Sequence, residues 1–312
     1  TIVLTGLALV LLIVQRDLGT ASIFILLYAA VVYLATGDWR IPIFSMLALI
    51  ASGLVGYMLF DVVQLRVEAW LNPWADPSGR SYQIVQSLLA VANGGLIGRG
   101  PGLGNPSLVP IAHSDFIFTA ISEEFGLAGA LAMLAILGLF LMRGLRAALY
   151  APDTYRRLLA AGLTVHLISQ SIVIIGGNLR LLPLTGVTLP FVSYGGSSLL
   201  VSFLELLCLL HISAASPGHP LPASGVRVYR HLAGAALLGL AAAGLITGWW
   251  AFWRGPDLLA RSDNARRSIA DRFVPRGSLL ERNSQPLAET QGQPGELQRV
   301  YSYAPLGPIV GY

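Results

Sequence analysis

Lysine is missing from this chain altogether: all 20 basic residues are arginine, set against 16 acidic ones. Lysine nucleophiles, Schiff bases and P-loop lysines are therefore excluded. Cysteine is almost as scarce. Cys208 is the only one and sits inside an apolar run, which rules out a disulfide framework or a cysteine-based metal site. It is expected as a small packed residue. The five histidines show no metal-ligand spacing. Charge of either sign is thin, at 12% of residues against 54% hydrophobic, and mean hydropathy is +0.67. A soluble domain usually carries about twice that charged fraction.

What the chain has instead is long apolar blocks, at 1–14, 18–36, 41–60, 116–142, 157–176, 194–214 and 231–253. A bilayer core about 30 Å thick needs about 20 apolar residues per helix. The blocks are apolar on all faces, so an all-α polytopic membrane protein is expected. Arg143, Arg146, Arg156 and Arg157 cluster in one short connection, which the positive-inside rule assigns to the cytoplasm. Counting spans outward then places 61–115, 177–193 and 254–312 on the extracytoplasmic side. Within 61–115, Tyr82, Val85, Leu88, Leu89 and Ala92 recur at helical spacing, which predicts a short amphipathic or re-entrant helix against the membrane. Pro217, Gly218, Pro220, Pro222 and Gly225 mark 215–230 as a linker between two modules. After Trp253 the composition turns polar. Thr1 opens directly into an apolar run, and the chain reads as cut at both ends.

Several constellations carry chemistry. Asp115, at the outer mouth of the 116–142 block, suits either an N-cap or a carboxylate raised toward a general base by partial desolvation. Glu123 and Glu124 follow roughly 12 Å farther along at 1.5 Å per residue. Carboxylates inside a span face polar cavities or partners; one of this pair is expected to be satisfied by a neighbouring helix. Glu205 is a similar case, expected either as a buried partner to His166 or Gln170 or as a carboxylate facing a polar cavity. The glycine-rich run Asn93 to Gly104 suits either turns or the wrapping of an anion by backbone N–H groups. The run Leu189 to Ser198, with Ser193, Gly195, Gly196 and Ser197, opens a helix with small residues. It suits close packing or a backbone surface near an anionic substrate.

Together the motifs resemble one family. Gln15-Arg16-Asp17-Leu18-Gly19-Thr20 is similar to the Q-P-D-L-G-T signature of the SEDS family of RodA and FtsW, with Arg16 in place of proline. Trp70-Leu71-Asn72-Pro73-Trp74 with Asp76-Pro77 resembles W-N-P-W-x-D-P, and Tyr82-Gln83 with Gln86-Ser87 resembles Y-Q-x-x-Q-S. His113-Ser114-Asp115-Phe116-Ile117-Phe118 and Glu123-Glu124-x-Gly126 resemble H-T-D-F-I-F and E-E-x-G. Leu182 to Gly186 and Leu189 to Ser198 complete the set, and the resemblance covers about 1–214. The tail carries a second resemblance. Asn264-x-Arg266, Arg276 to Asn283 and Pro286-Leu287-Ala288 are similar to the opening of class B penicillin-binding proteins, and Gly307 to Tyr312 resembles the later L-G-Y segment of the same pedestal.

The resemblance implies about six SEDS helices, with four more of the family's spans missing from the N-terminal side. The further span 231–253 would then be the anchor of a fused penicillin-binding module, and 254–312 the start of its extracytoplasmic α+β or extended pedestal. It implies a peptidoglycan glycosyltransferase that polymerises lipid II onto a nascent glycan strand. Asp115 would be the base; Arg66, Tyr82, Gln83, Gln86, His113, Ser114, Glu123, Glu124, Arg180, Ser193, Gly195, Gly196 and Ser197 would be substrate contacts. Arg66, Arg180 or a divalent cation (Mg or Mn) would face the diphosphate. No organic cofactor and no nucleic acid are expected; the partners are membrane lipids and a class B penicillin-binding protein. A lipid II flippase is the rival reading, since intramembrane carboxylates and broken helices also suit transport. A scaffold without activity is a third.

Overall fold

In a computed structural model of the chain, the described residues are 17–215, 223–261, 264–267, 275–293 and 297–303. The expected span 1–14, Arg16 and the Gly307 to Tyr312 motif lie outside them. The chain divides into two compact units, Thr1–Gly255 and Pro256–Tyr312.

The first unit is helical: α1 (Leu18–Thr36), α2 (Arg40–Leu59), α3 (Asp61–Leu71), α4 (Tyr82–Gly94), α5 (Ile117–Leu149), α6 (Thr154–Asn178), α7 (Gly196–Ala214) and α8 (Ala223–Gly248). A π-helical turn, Trp249–Trp253, extends α8. Six of these helices are long and apolar enough to cross a membrane. The chain is an all-α polytopic membrane protein, because a chain this apolar leaves helices as the structures that satisfy their own backbone in lipid. Local signals set the ends. Asp17 caps α1 by accepting from the Thr20 N–H at 3.0 Å and the Thr20 hydroxyl at 2.7 Å. Gly37 ends α1 in the left-handed region at φ 72°. Asp153 caps α6 through the Arg156 N–H at 2.8 Å.

Three expectations change. Of the two readings of the helix over 82–94, the surface-amphipathic one is replaced: Ile84 through Ala92 are all buried in the protein, where α4 packs on α5 and the Trp249–Trp253 turn. Burial runs all the way round this stretch and takes in the polar Gln86 and Ser87, so protein covers both sides. The linker is shorter than 215–230, since α8 already begins at Ala223. Pro222 is the last proline of the stretch, and the helix takes up the apolar residues after it. Cys208 is exposed, on the outward face of α7, rather than packed.

The second unit holds a short helix ending at Leu259 and a three-stranded antiparallel sheet. Its strands are β1 (Leu279–Leu280), β2 (Pro286–Gln291) and β3 (Gln298–Tyr301). Ala288 pairs with Tyr301 and is fully buried. Arg299 ties the sheet to its approach by donating to Gly277 O at 2.7 Å. Among the described residues of the tail, this matches the expected α+β segment.

The most consequential feature is a break in α5. Gly126 has φ 66° and ψ −164°, which interrupts the hydrogen-bond ladder inside a span. The glycine run fills the interruption. Arg99 N and Gly100 N donate to Glu123 O at 3.0 Å and Glu124 O at 2.9 Å. In the other direction, Leu127 N and Ala128 N donate to Gly95 O at 2.9 Å and Leu96 O at 3.0 Å. Left unpaired in an apolar setting, each of these groups would cost several kcal/mol. The approach is too close for side chains: a Cβ on Gly126 would lie 2.4 Å from Gly98 N, and one on Gly98 would lie 2.1 Å from Glu124 O. The run therefore staples a broken helix, and its N–H groups at 99 and 100 are spent on carbonyls rather than on an anion. Gly126→Ala is expected to abolish the monodisperse peak in size-exclusion chromatography of the detergent-solubilised protein. Gly53→Ala, whose added methyl meets nothing within 4 Å, should leave it unchanged.

Candidate active site

Asp115 sits at the turn into α5, half-buried, where its N–H donates to Ile111 O at 3.1 Å. Ile111 is left-handed at φ 57°, an outlier for a β-branched residue, and held by its surroundings. Ser114 Oγ donates to Asp115 Oδ1 at 2.8 Å, and Asn178 Nδ2, at the end of α6, donates to the Asp115 carbonyl at 2.8 Å. The Asn178 carbonyl in turn accepts from Ser87 Oγ on α4 at 2.8 Å. Asn178 thus joins α4, α6 and the Asp115 turn at one fully buried point. Beneath it, Ala90, Val109 and Phe116 form an apolar cluster against which Ala112 and Leu184 pack.

Arg66 of α3 reaches the same place. Its Nη1 donates to Thr185 O at 3.5 Å. A methyl added at Gly186 would lie 3.6 Å from Asp115 Oδ2 and 4.0 Å from Arg66 Nη2. A carboxylate and a guanidinium therefore flank one exposed glycine. The start of α1 closes on the same segment, since a Cβ on Gly19 would lie 2.8 Å from Thr185 O. Among the described residues, two buried side-chain oxygens here have no hydrogen-bond partner, Asn178 Oδ1 and Thr185 Oγ1.

The Leu189 to Ser198 run docks against the other side of the Asp115 turn. Ser193 Oγ donates to Ser114 O at 2.6 Å and accepts from Leu189 N at 2.7 Å. Tyr194 N donates to His113 O at 2.9 Å, and the two rings meet edge-on with centroids 5.6 Å apart. Ser193 is buried, so its hydroxyl positions a loop. His113, Gly196 and Ser197 are exposed, with Gly195 partly so.

Other expected residues have different neighbours. Arg180, left-handed at φ 60°, donates from Nε to Trp70 O at 2.7 Å and from Nη2 to Leu71 O at 2.6 Å. It caps the C-terminal end of α3, and the Trp70 indole returns a bond to Arg180 O at 3.1 Å. Burial draws its pKa down from the ordinary guanidinium value. These donors are committed to carbonyls, so Arg66 is the better placed of the two arginines beside Asp115. Glu123 is fully buried under the glycine run, where Asn93 Nδ2 on α4 donates to it at 2.8 Å. Arg99 contacts Asn93 Oδ1 through Nε at 3.0 Å. Glu123 is thus the member of the pair satisfied by a neighbouring helix, and Glu124 is half-buried beside it. Tyr82 and Gln83 are half-buried at the start of α4, and Gln86 is buried. Glu205 does pair with His166, at 2.9 Å, while Gln170 bonds Thr188 O at 2.8 Å.

Sequence reasoning passed over Asn178, although a lone amide ending an apolar helix is a signal of an interhelical bond. Asn178→Ala is expected to lower stability by about 1–3 kcal/mol, because it frees a buried carbonyl at Asp115. The change should be read as a drop in the thermal unfolding midpoint.

Comparison with known proteins gives the chain's family. The family model for FtsW, RodA and SpoVE, described as cell cycle protein, matches residues 1–217. The chain is 45% identical over 202 residues to "Peptidoglycan glycosyltransferase RodA" of Mycobacterium tuberculosis, covering 65% of this chain and 43% of that protein. It is 39% identical over 213 residues to "Stage V sporulation protein E" of Bacillus subtilis, covering 67% and 58%. A solved structure described as "Structural coordination of polymerization and crosslinking by a peptidoglycan synthase complex" superposes with a TM-score of 0.53 at 34% identity. It covers 67% of this chain and 60% of its own. The chain spans about half the length of the curated relatives it matches. It belongs to the FtsW/RodA/SpoVE family of cell cycle proteins.

Proposed function

We propose that the protein containing this chain is a peptidoglycan glycosyltransferase that polymerises lipid II, with Asp115 as its general base. The observation that carries the reading is the placement of Asp115 Oδ2 and Arg66 Nη2 on either side of Gly186. A carboxylate to take a proton and a cation to receive a leaving anion are what glycosyl transfer from a diphosphate donor requires. Asp115 removes the proton from the acceptor sugar's hydroxyl. The oxygen attacks the donor's anomeric carbon from the face opposite the leaving group. The carbon–oxygen bond to undecaprenyl diphosphate breaks, configuration inverts, and Arg66 stabilises the departing diphosphate. Ser114 holds the carboxylate, while Asn178 and Ser193 hold the turn that bears it.

A Mg or Mn ion belongs to the proposal only as a counter-ion arriving with the diphosphate. Among the described residues no three His, Cys, Asp or Glu side chains gather to form a cage. Magnesium is commonly held by one or two carboxylates plus substrate phosphates. Residues 61–115 and 254–312 are assigned to the extracytoplasmic side, and the tail to a fused class B penicillin-binding module anchored by 231–253. The polar turn after Trp253 and the small sheet beyond it support this assignment. An elongation or a division role fits equally.

Polymerisation of lipid II by the full parent protein in liposomes is expected to fall by about 10²–10⁴-fold in Asp115→Asn, with unfolding midpoint unchanged. Arg66→Gln should lose about 10²–10³-fold, and EDTA should reduce the wild-type rate. Full activity of Asp115→Asn would remove it as the base. Lipid II crossing the bilayer without polymer would favour a flippase instead.

A further inference from the structure

At the opposite end of α5 from Asp115, roughly 40 Å along at 1.5 Å per residue, Arg143 and Arg146 line a cavity of about 250 Å³. Its other walls include Tyr150 and, from the end of α7, Ile212 and Ser213. No carboxylate lines it. The acidic residue nearest to these arginines in sequence, Asp153, is paired with Arg156 at 3.5 Å. Among the described residues, neither the Arg143 nor the Arg146 side chain has a hydrogen bond or an ion pair. Arg146 has only the Tyr150 ring, 5.8 Å from its guanidinium carbon. The last turns of α5 and α7 supply walls of this cavity, and their C-terminal carbonyls carry partial negative charge. They do not neutralise two full charges.

The apolar surroundings identify the anion's source. At 100° per residue, Leu139, Met142, Arg143 and Arg146 share one side of α5. Leu139 and Met142 are 60% and 58% exposed, and Leu210 on α7, one turn before Ser213, is 57% exposed. A free phosphate would gain nothing from these side chains, whereas an acyl chain would cover them. We propose that this cavity binds the headgroup phosphate of an anionic phospholipid. The two guanidinium groups and the Ser213 hydroxyl meet the phosphate, and the acyl chains run along Leu139, Met142 and Leu210. Guanidinium forks match phosphate oxygens, and basic pockets between spans suit such headgroups. The site is independent of the chemistry at Asp115.

The test titrates phosphatidylglycerol into the full-chain protein in neutral detergent and follows the thermal unfolding midpoint. Phosphatidylglycerol is expected to raise it and phosphatidylcholine at the same mole fraction to leave it. R143Q/R146Q should keep the lipid-free midpoint and bind phosphatidylglycerol about fivefold more weakly per arginine removed. If the double variant fails to fold, R143Q and R146Q singly should each lose part of the response. Equal protection of the variants, equal protection by phosphatidylcholine, or the same protection of the wild type by inorganic phosphate would overturn the proposal.

Discussion

A backbone group in lipid has no water to turn to, and the half of the bundle that carries Asp115 is organised by that constraint. Once Gly126 breaks α5, four backbone groups need partners, and the glycine run after α4 provides them. The staple joins α4 to α5 at the mouth of the bundle. Glu123 and Arg99 reinforce it through Asn93, which donates to the first and accepts from the second. With α4 clamped in this way, Ser87 is in place to hold Asn178, and Asn178 to hold the Asp115 carbonyl. The catalytic proposal thus rests on a chain of backbone satisfaction that begins eleven residues after Asp115.

The polar groups around the site divide by purpose. Glu123, Ser193, Arg180 and Asn178 are spent on positioning, each against a backbone atom or an amide. Asp115 and Arg66 flank an exposed glycine instead. Three left-handed non-glycine residues, Ile111, Arg180 and Phe191, lie in the loops that converge there. Strain of that kind persists only where surrounding contacts over-determine the backbone. Here those contacts are the bonds that Ser193, Tyr194 and Arg180 make across loops. Farther in, His166 and Glu205 satisfy each other between α6 and α7, which removes Glu205 from the set of free carboxylates.

Much of this was legible in the residues. Uninterrupted apolar blocks determined the spans, because a hydrocarbon core admits little else, and the ordered motifs determined the family. Asp17 and Gly37 announce their helix ends through local chemistry. The roles of the glycine run and of Arg180 were not legible. Whether a backbone N–H faces an anion or a carbonyl depends on what lies opposite it, and Glu123 O and Trp70 O are far away in sequence. Exposure was equally hidden: Cys208 has an apolar neighbourhood in sequence, yet faces outward because of how α7 is rotated against α6. Composition and local pattern suffice for helices and membership of a family, since each rests on short-range chemistry and the bilayer's thickness. Only the tertiary structure decided which polar groups are spent on the fold and which stand open beside Gly186, because hydrogen-bond pairing between distant segments is a property of packing.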